Sequence, residues 1–239
     1  MRRAGAIVAA TIDELLGHVR PGVTTRQLDE VAERRIRADG AIPSFKGYRG
    51  FPASICTSLN DEVVHGIPGK RRVAQGDILK LDVGAIWEGF HADSAVSVIV
   101  GEPASDVAEK LLRVTEESLA AGISELRPGA RMSDVGHAVQ QLVEGAGFAV
   151  VREYVGHGVG RALHEDPQVP NYGDPGRGPQ IKPGLVVAIE PMVNIGDWRT
   201  NVLEDGWTVV TADGTLSAHF EHTIAVTPDG PEVLTARAA

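Results

Sequence analysis

The sequence is poor in cysteine: among 239 residues only Cys56 is one. An intramolecular disulfide is therefore excluded, and the composition fits a reducing compartment, with the cytosol as the default location. No apolar run approaches the ~18 residues that a membrane span needs. A signal peptide is not expected either, because Asp13 and Glu14 interrupt the weakly apolar stretch that follows Arg2 and Arg3.

Clustered basic residues are also scarce, apart from Lys70, Arg71 and Arg72. With a formal charge of −9, the chain is not expected to present a nucleic-acid-binding surface. A negative balance mainly favours solubility, although acidic side chains can also gather in a site that binds cations. Glycine and proline are abundant by contrast, with 28 and 14 residues, and this abundance predicts many turns.

An internal repeat organises the chain. The segment LLGHVRPGVTTRQLDEVAERRIRADGA resembles GISELRPGARMSDVGHAVQQLVEGAGF at an offset of 107 residues, so that Pro21-Gly22 aligns with Pro128-Gly129 and Gly40 with Gly147. Each copy reads as a helix, a Pro-Gly turn and a second helix that stops at the last glycine. Residues 24–27 fit a capping box at the start of the second helix in the first copy.

The strands after each helix pair repeat as well. GDILKLDV ends near Asp82 and GLVVAIEP near Glu190, and Asp93 and Glu221 open the alternating runs DSAVSVIV and EHTIAV. We therefore predict an α+β protein of two halves, roughly 1–105 and 106–239, related by a pseudo-two-fold axis. Their strands form a common sheet with the helices on one face, and the absence of a polar linker favours one catalytic domain over 1–239.

The four acidic residues predict a cation site. Asp82 and Asp93 are expected to face each other across a hairpin that turns between positions 87 and 88, with Cβ atoms ~5 Å apart. Two such carboxylates either share a proton or hold a cation. Glu190 follows an apolar run and Glu221 repeats Asp93, so four acids converge, and a pair of divalent metal ions neutralises them best. Taken singly, Asp82 and Asp93 fit turn caps equally well, and Glu221 fits a surface position.

Residues 154–167, YVGHGVGRALHEDP, carry two histidines among glycines. The order of glycines is not G-x-G-x-x-G and no GK[ST] follows, so a phosphate loop is not favoured. We expect a turn after a strand over 150–155, with His157 as a nitrogen ligand of the acidic centre. His164, and His65 in NDEVVHGIP, are candidates for contacting a substrate carbonyl, although either one alone is more often a structural histidine.

Taken together, these motifs resemble the methionine aminopeptidases of the pita-bread fold, in the short bacterial type I form. They are LDVG at Asp82, ADS at Asp93, GHGVG at His157, IEPM at Glu190 and FEHT at Glu221. The resemblance implies a curved antiparallel sheet shared by the two halves, with helices on the outer face. It also implies that Asp82 and Asp93 bind one metal ion, that Asp93 and Glu221 bridge two, and that His157 and Glu190 complete the second.

The same resemblance implies roles for further residues. Glu190 takes a proton from the attacking water, and His65 and His164 contact the peptide and stabilise the tetrahedral intermediate. The methionine pocket is formed by Tyr48, Phe51, Cys56, His65 and Trp207, with Phe45 and Leu163 nearby. Many bacterial relatives carry cysteine in place of Phe45 and phenylalanine in place of Leu163. Without the resemblance, core packing is the simpler interpretation of these aromatic residues.

The expected cofactors are two divalent ions, for which carboxylates with one histidine suit Co²⁺, Mn²⁺, Fe²⁺ or Zn²⁺. The resemblance further implies a monovalent cation, Na⁺ or K⁺, on the backbone carbonyls of Asn60, Glu62 and Ser217.

The sequence thus predicts a cytoplasmic, monomeric enzyme that removes the initiator methionine from nascent chains with a small second residue, near the ribosome and without nucleic-acid or membrane partners. A prolidase or Xaa-Pro aminopeptidase is the alternative enzyme. Those relatives usually carry a large additional N-terminal domain, whereas this chain starts directly on the repeat. A pita-bread binding protein without catalysis is the other alternative, against which five intact ligand positions argue.

Overall fold

Four long helices and fifteen strands, most of them short, make up the part of the chain that the computed structural model describes, residues 1–237. The helices are α1 Arg2–His18, α2 Thr25–Ala38, α3 Asp106–Glu125 and α4 Met132–Gly145, with a 3-10 turn at Tyr48–Gly50. The strands are β1 Ile42–Pro43, β2 Ile55–Leu59, β3 Glu62–Val64, β4 Ile78–Trp87, β5 Phe90–Ile99, β6 Ala149–Val150, β7 Gly156–Gly158, β8 Glu165–Val169, β9 Val186–Ile189, β10 Met192–Asn194, β11 Thr200–Val202, β12 Val209–Thr211, β13 Ser217–His219, β14 His222–Thr227 and β15 Gly230–Val233.

The predicted repeat is present in three dimensions. The turn between α1 and α2 bridges to the chain before β4 through Thr24 and Arg72, and the turn between α3 and α4 bridges to the chain before β9 through Arg131 and Gln180. Arg131 lies 107 residues after Thr24, and Gln180 lies 108 residues after Arg72. The first spacing equals the offset of the helical repeat, and the second equals the offset between Asp82 and Glu190. The capping box at the start of α2 is formed as predicted, since the Gln27 backbone N–H donates to Thr24 Oγ1 over 3.2 Å.

The strands form four hydrogen-bonded sheets instead of the one common sheet that the sequence predicts. The main sheet of the first half contains β1, β4 and β2 in that order, with β5 also on β4, and the main sheet of the second half runs β15-β14-β9-β7-β8. The two are joined where β5 meets β14: Glu221 N–H donates to Ala95 O over 3.0 Å, and Ala95 N–H donates to Glu221 O over 3.3 Å. We call this contact the seam.

Helices cover the strands in both halves, which confirms the α+β class. α1 packs across β4 and β5, and α3 packs across β9, β10 and β13. The apolar stripe of α1, including Ile7 and Leu15, is fully buried against residues such as Leu81 of β4, because one face of an amphipathic helix has to be removed from water. Over residues 1–237, no helix combines the length and apolarity required to cross a membrane.

A matched pair of glycines tests how closely α1 packs. A Cβ atom at Gly5 would overlap the backbone carbonyl of Leu234, whereas one at Gly17 would meet nothing within 4 Å. Both lie in α1 and neither has a positive φ. We expect Gly17→Ala to raise the free energy of unfolding by roughly 0.5–1 kcal/mol and Gly5→Ala to lower it by roughly 1–3 kcal/mol, measured by urea denaturation. Equal stabilisation by both variants would contradict this packing.

Candidate metal centre and substrate pocket

The first two acids lie on a long hairpin, but not directly opposite each other. In the ladder between β4 and β5, Asp82 pairs with Ala95 and Asp93 pairs with Gly84. The predicted direct pairing of the two acids is therefore wrong by two residues in register. The reason is a two-residue turn at Glu88 and Gly89, both with positive φ, which moves the hairpin centre by one residue. The two side chains still share one face of the sheet as diagonal neighbours.

The other two acids lie at the end of the corresponding pair of strands in the second half. His222 pairs with Ile189 between β14 and β9, so continuing that register by one residue sets Glu221 opposite Glu190. The backbone of Glu190 is fixed by Asn171, whose Nδ2 donates to the Glu190 carbonyl over 3.0 Å. Glu221 is fixed by the seam, and its carbonyl also accepts a hydrogen bond from Ser94 Oγ over 2.6 Å.

His157 occupies the middle of β7, so the predicted turn at this glycine-rich stretch is wrong. Its neighbours Gly156 and Gly158 are strand residues whose missing side chains permit close approach of other backbones. A Cβ atom at Gly156 would overlap Ala188 O, and one at Gly158 would overlap Asp166 O. Glycine is required here because β7 is enclosed by β8 and β9, and the enclosure fixes the position of the His157 ring.

Three of the five predicted ligands form a tight buried cluster. Asp93, His157 and Glu221 each offer an atom within 4.8 Å of the others, and all three side chains are buried. Glu190 adjoins them, with its Oε1 3.5 Å from His157 Nε2. Asp82 lines the same pocket. All five residues are thus brought together, and their action as ligands stays a prediction.

Without a cation, the negative charges of the four carboxylates in this centre are not neutralised. Burial raises the pKa of Asp82 to about 7, and burial together with the neighbouring carboxylates raises the pKa values of Asp93, Glu190 and Glu221 well above their usual range. Within residues 1–237, the buried Oδ1 atoms of Asp82 and Asp93 have no hydrogen-bond partner. Converging carboxylates with free oxygens and one imidazole nitrogen fit divalent metal ions.

The histidine of the centre is oriented as a metal ligand. His157 Nδ1 lies 2.9 Å from the carbonyl oxygen of Gly158. Because a carbonyl only accepts hydrogen bonds, the ring proton is on Nδ1 and the lone pair of Nε2 faces the carboxylates. Burial lowers the pKa of His157, which favours the neutral ring that a metal requires.

The predicted substrate residues form the wall of the pocket that opens onto the acids. Apolar side chains make up its closed side: Phe45, Phe51, Cys56 and Leu163, with Tyr48 and Trp207 packed against them. Phe51 and Trp207 meet edge to face at 5.1 Å between ring centroids. Burial and the neighbouring acids raise the pKa of Cys56, so Cys56 is a neutral, apolar part of this wall.

Both additional histidines border the pocket. His164 lies closer to the centre than its distance from His157 in the sequence suggests, with 4.1 Å between the two ring centroids. Its Nδ1 lies 2.9 Å from Tyr48 Oη. His65 sits 6.2 Å from Trp207, ring to ring. Burial lowers the pKa of each to about 4, so both are neutral near pH 7.

Two residues of the site were missed by sequence reasoning. Arg49 lines the pocket and lies 5.3 Å over the Tyr48 ring. His219 is buried, and its Nε2 is 3.8 Å from Glu190 Oε2. Its position two residues before Glu221, on a short strand, was the available signal.

The monovalent cation predicted at Asn60, Glu62 and Ser217 is not supported by the structure. Lys80 Nζ donates to the carbonyl oxygens of Asn60 and Ser217, at 2.8 Å from each. An amine therefore already occupies two of the three predicted contacts, and a Na⁺ or K⁺ ion does not fit there.

Comparison with known proteins identifies the family. Residues 1–228 match the model of metallopeptidase family M24. The chain is 58% identical to methionine aminopeptidase 1 of Bacillus subtilis over 235 residues, covering 98% of this chain and 94% of that protein. The chain belongs to the methionine aminopeptidases of family M24. Family membership makes it a metallo-aminopeptidase, a hydrolase, which confirms the class of enzyme predicted from the sequence.

Solved structures confirm the pita-bread fold. Methionine aminopeptidase from Thermotoga maritima superposes with a TM-score of 0.97 at 48% identity, covering 99% of this chain and 95% of that one. Prolidase from Pyrococcus furiosus superposes with a TM-score of 0.80 at 19% identity. At that identity the prolidase shares the fold alone, so the alternative of a proline-directed peptidase is not favoured.

The buried acids predict an unusual pH dependence for the metal-free protein. A carboxyl whose folded pKa is raised binds its proton more tightly in the folded state, so stability is lost as pH rises through that folded pKa, near 7 for Asp82. After treatment with EDTA, we expect the melting temperature to fall as the pH rises from about 4 to about 7, and added Mn²⁺ to restore it. Asp82→Asn should reduce the fall, and a flat profile in the metal-free protein would refute the assignment.

Proposed function

We propose that the chain removes the N-terminal methionine from nascent polypeptides whose second residue is small. The observation that carries this proposal is one pocket with two unlike walls, an apolar aromatic one and a carboxylate one. An unbranched thioether side chain suits the apolar wall, where sulfur gains from contact with rings such as Phe51 and Trp207. A free amino terminus carries positive charge and suits the carboxylates.

Two divalent ions, of Co, Mn, Fe or Zn, are the proposed cofactors. Asp82 and Asp93 would hold one, His157 and Glu190 would hold the second, and Asp93 and Glu221 would be shared. When bound, such a pair polarises a peptide carbonyl and lowers the pKa of water. The convergence of these side chains on one pocket supports their proposed role as ligands.

The protein's own residues supply proton transfer and orientation. Glu190 accepts the proton of the attacking water and delivers it to the leaving amine, because its carboxylate lines the pocket beside the other acids. In this proposal the Tyr48 hydroxyl donates to Nδ1 of His164, 2.9 Å away, so that the proton of the neutral ring lies on Nε2. His164 and His65 then donate hydrogen bonds to the carbonyl oxygen as negative charge develops there.

The two halves act as one catalytic domain of residues 1–239 in this proposal. Asp82 and Asp93 come from the first half and the other three ligands from the second, so neither half carries the set. The proposed substrates are polypeptides emerging from ribosomes, which makes the cytoplasm the proposed location. A monomer is proposed because the whole ligand set comes from a single chain.

Peptide hydrolysis tests the function. We expect EDTA-treated protein to release methionine from Met-Ala-Ser when Co²⁺, Mn²⁺ or Fe²⁺ is restored under anaerobic conditions, with little turnover of an Xaa-Pro peptide. Metal content should be measured on the same sample. Folded, metal-loaded protein that fails to cleave Met-Ala-Ser would refute the proposal, and preference for the Xaa-Pro peptide would favour a proline-directed enzyme.

Substitution of a shared ligand tests the metal assignment. Asp93→Asn keeps the shape of the side chain but removes its charge, so we expect activity to fall by more than about 100-fold. The same variant should melt higher than wild type in the metal-free state at pH 8, since one buried charge is gone. Asp174→Asn, at an exposed position, is the matched control and should change neither quantity. Full activity of Asp93→Asn would mean that Asp93 is not a shared metal ligand.

A further inference from the structure

Lys80 is a fully buried lysine that the proposed reaction does not use. It belongs to β4, two residues before Asp82, and its side chain is 1% exposed. Burying an amine is costly unless polar partners replace water. The partners are the carbonyl oxygens of Asn60 and Ser217, each 2.8 Å from Nζ.

The carbonyl oxygens of Asn60 and Ser217 converge on one point and are suitable ligands for a cation. Asn60 has a left-handed backbone, with φ of 55°, at the turn between β2 and β3. Ser217 begins β13, and its N–H donates to the Asn60 carbonyl over 3.0 Å. The family resemblance predicts a monovalent ion on these two carbonyls. We propose that Lys80 is a built-in replacement for that ion, an amine attached to the chain that fills the cation position permanently.

The replacement gives Lys80 the role of a positioning residue. Through one side chain it links β4, the β2–β3 turn and β13. β4 carries Asp82, and Ser217 lies four residues before Glu221, so the link connects ligand-bearing segments of both halves. An attached amine cannot dissociate, and this chain is therefore independent of Na⁺ and K⁺. The inference does not depend on the proposed peptidase activity, because it concerns folding and metal binding.

Thermal unfolding of EDTA-treated protein tests the proposal. The melting temperature of wild type should be the same in NaCl, KCl and tetramethylammonium chloride at equal ionic strength. Lys80→Ser opens the position and removes the Nζ donor from the carbonyls of Asn60 and Ser217, so its melting temperature should fall by roughly 5–10 °C. K⁺ or Na⁺, but not tetramethylammonium, should restore part of that loss by binding the folded state.

Two variants control the comparison. Lys80→Met fills the position without a donor, so it should lose stability and show no rescue by K⁺ or Na⁺. Lys110→Ser removes an exposed lysine that also donates to a carbonyl, that of Ala146, and should show neither the loss nor the rescue. The affinity for Mn²⁺, measured by calorimetry, distinguishes a role of Lys80 in positioning the metal ligands from a role in packing alone. This affinity should weaken in Lys80→Ser and recover with K⁺.

Three outcomes would overturn the proposal. A higher melting temperature of wild type in Na⁺ or K⁺ than in tetramethylammonium would mean that a free ion still binds. An identical response of Lys80→Ser and Lys80→Met to salt would mean that Lys80 only fills space. Should Lys80→Ser fail to fold, wild type can be titrated calorimetrically with Tl⁺, a K⁺ mimic. We expect no saturable binding of Tl⁺, and binding at one site would contradict the proposal.

Discussion

The backbone pairing between β5 and β14 is the constraint on which the rest of the structure depends. Four carboxylates repel one another when they converge in a buried centre, and side-chain contacts alone would not keep them there. The seam fixes Glu221 to Ala95 by two backbone hydrogen bonds, and Thr223 Oγ1 accepts from Asp93 N–H over 2.9 Å. The two acids that lie at the middle of the centre are therefore held by backbone atoms, which leaves their oxygens free.

Much of this arrangement was predictable because it is encoded locally or repeated. The Pro-Gly turns, the capping box at Thr24 and the terminal glycines act over a few residues, so their sequence signals translate directly into structure. The correspondence of Asp82 with Glu190 and of Asp93 with Glu221 followed from the repeat alone, since duplicated segments adopt equivalent positions. The convergence of the acids needed no knowledge of the sheet order.

What the sequence did not disclose depends on contacts between distant segments. The hairpin register was missed although the Glu88-Gly89 pair was a usable turn signal. The strand conformation of His157 depends on the proximity of Ala188 and Asp166 to its glycine neighbours, which no local pattern reports. The burial of Lys80 has no local sequence signal, because the carbonyls that accept its hydrogen bonds lie 20 and 137 residues away.

The shape of the pocket and the geometry of the metal centre are coupled through Gly84. This residue pairs with Asp93 in the β4–β5 ladder, and its other face is covered by the Phe45 ring, whose Cε1 would lie 2.8 Å from a Cβ atom at this position. A Cβ atom at position 84 would therefore force the Phe45 ring and the Ser44 side chain to shift. Phe45 thus places an aromatic ring beside the strand pair that holds Asp93. A larger residue at position 84 would force either the pocket wall or the ligand strand to move, so pocket shape cannot change there independently of the metal site.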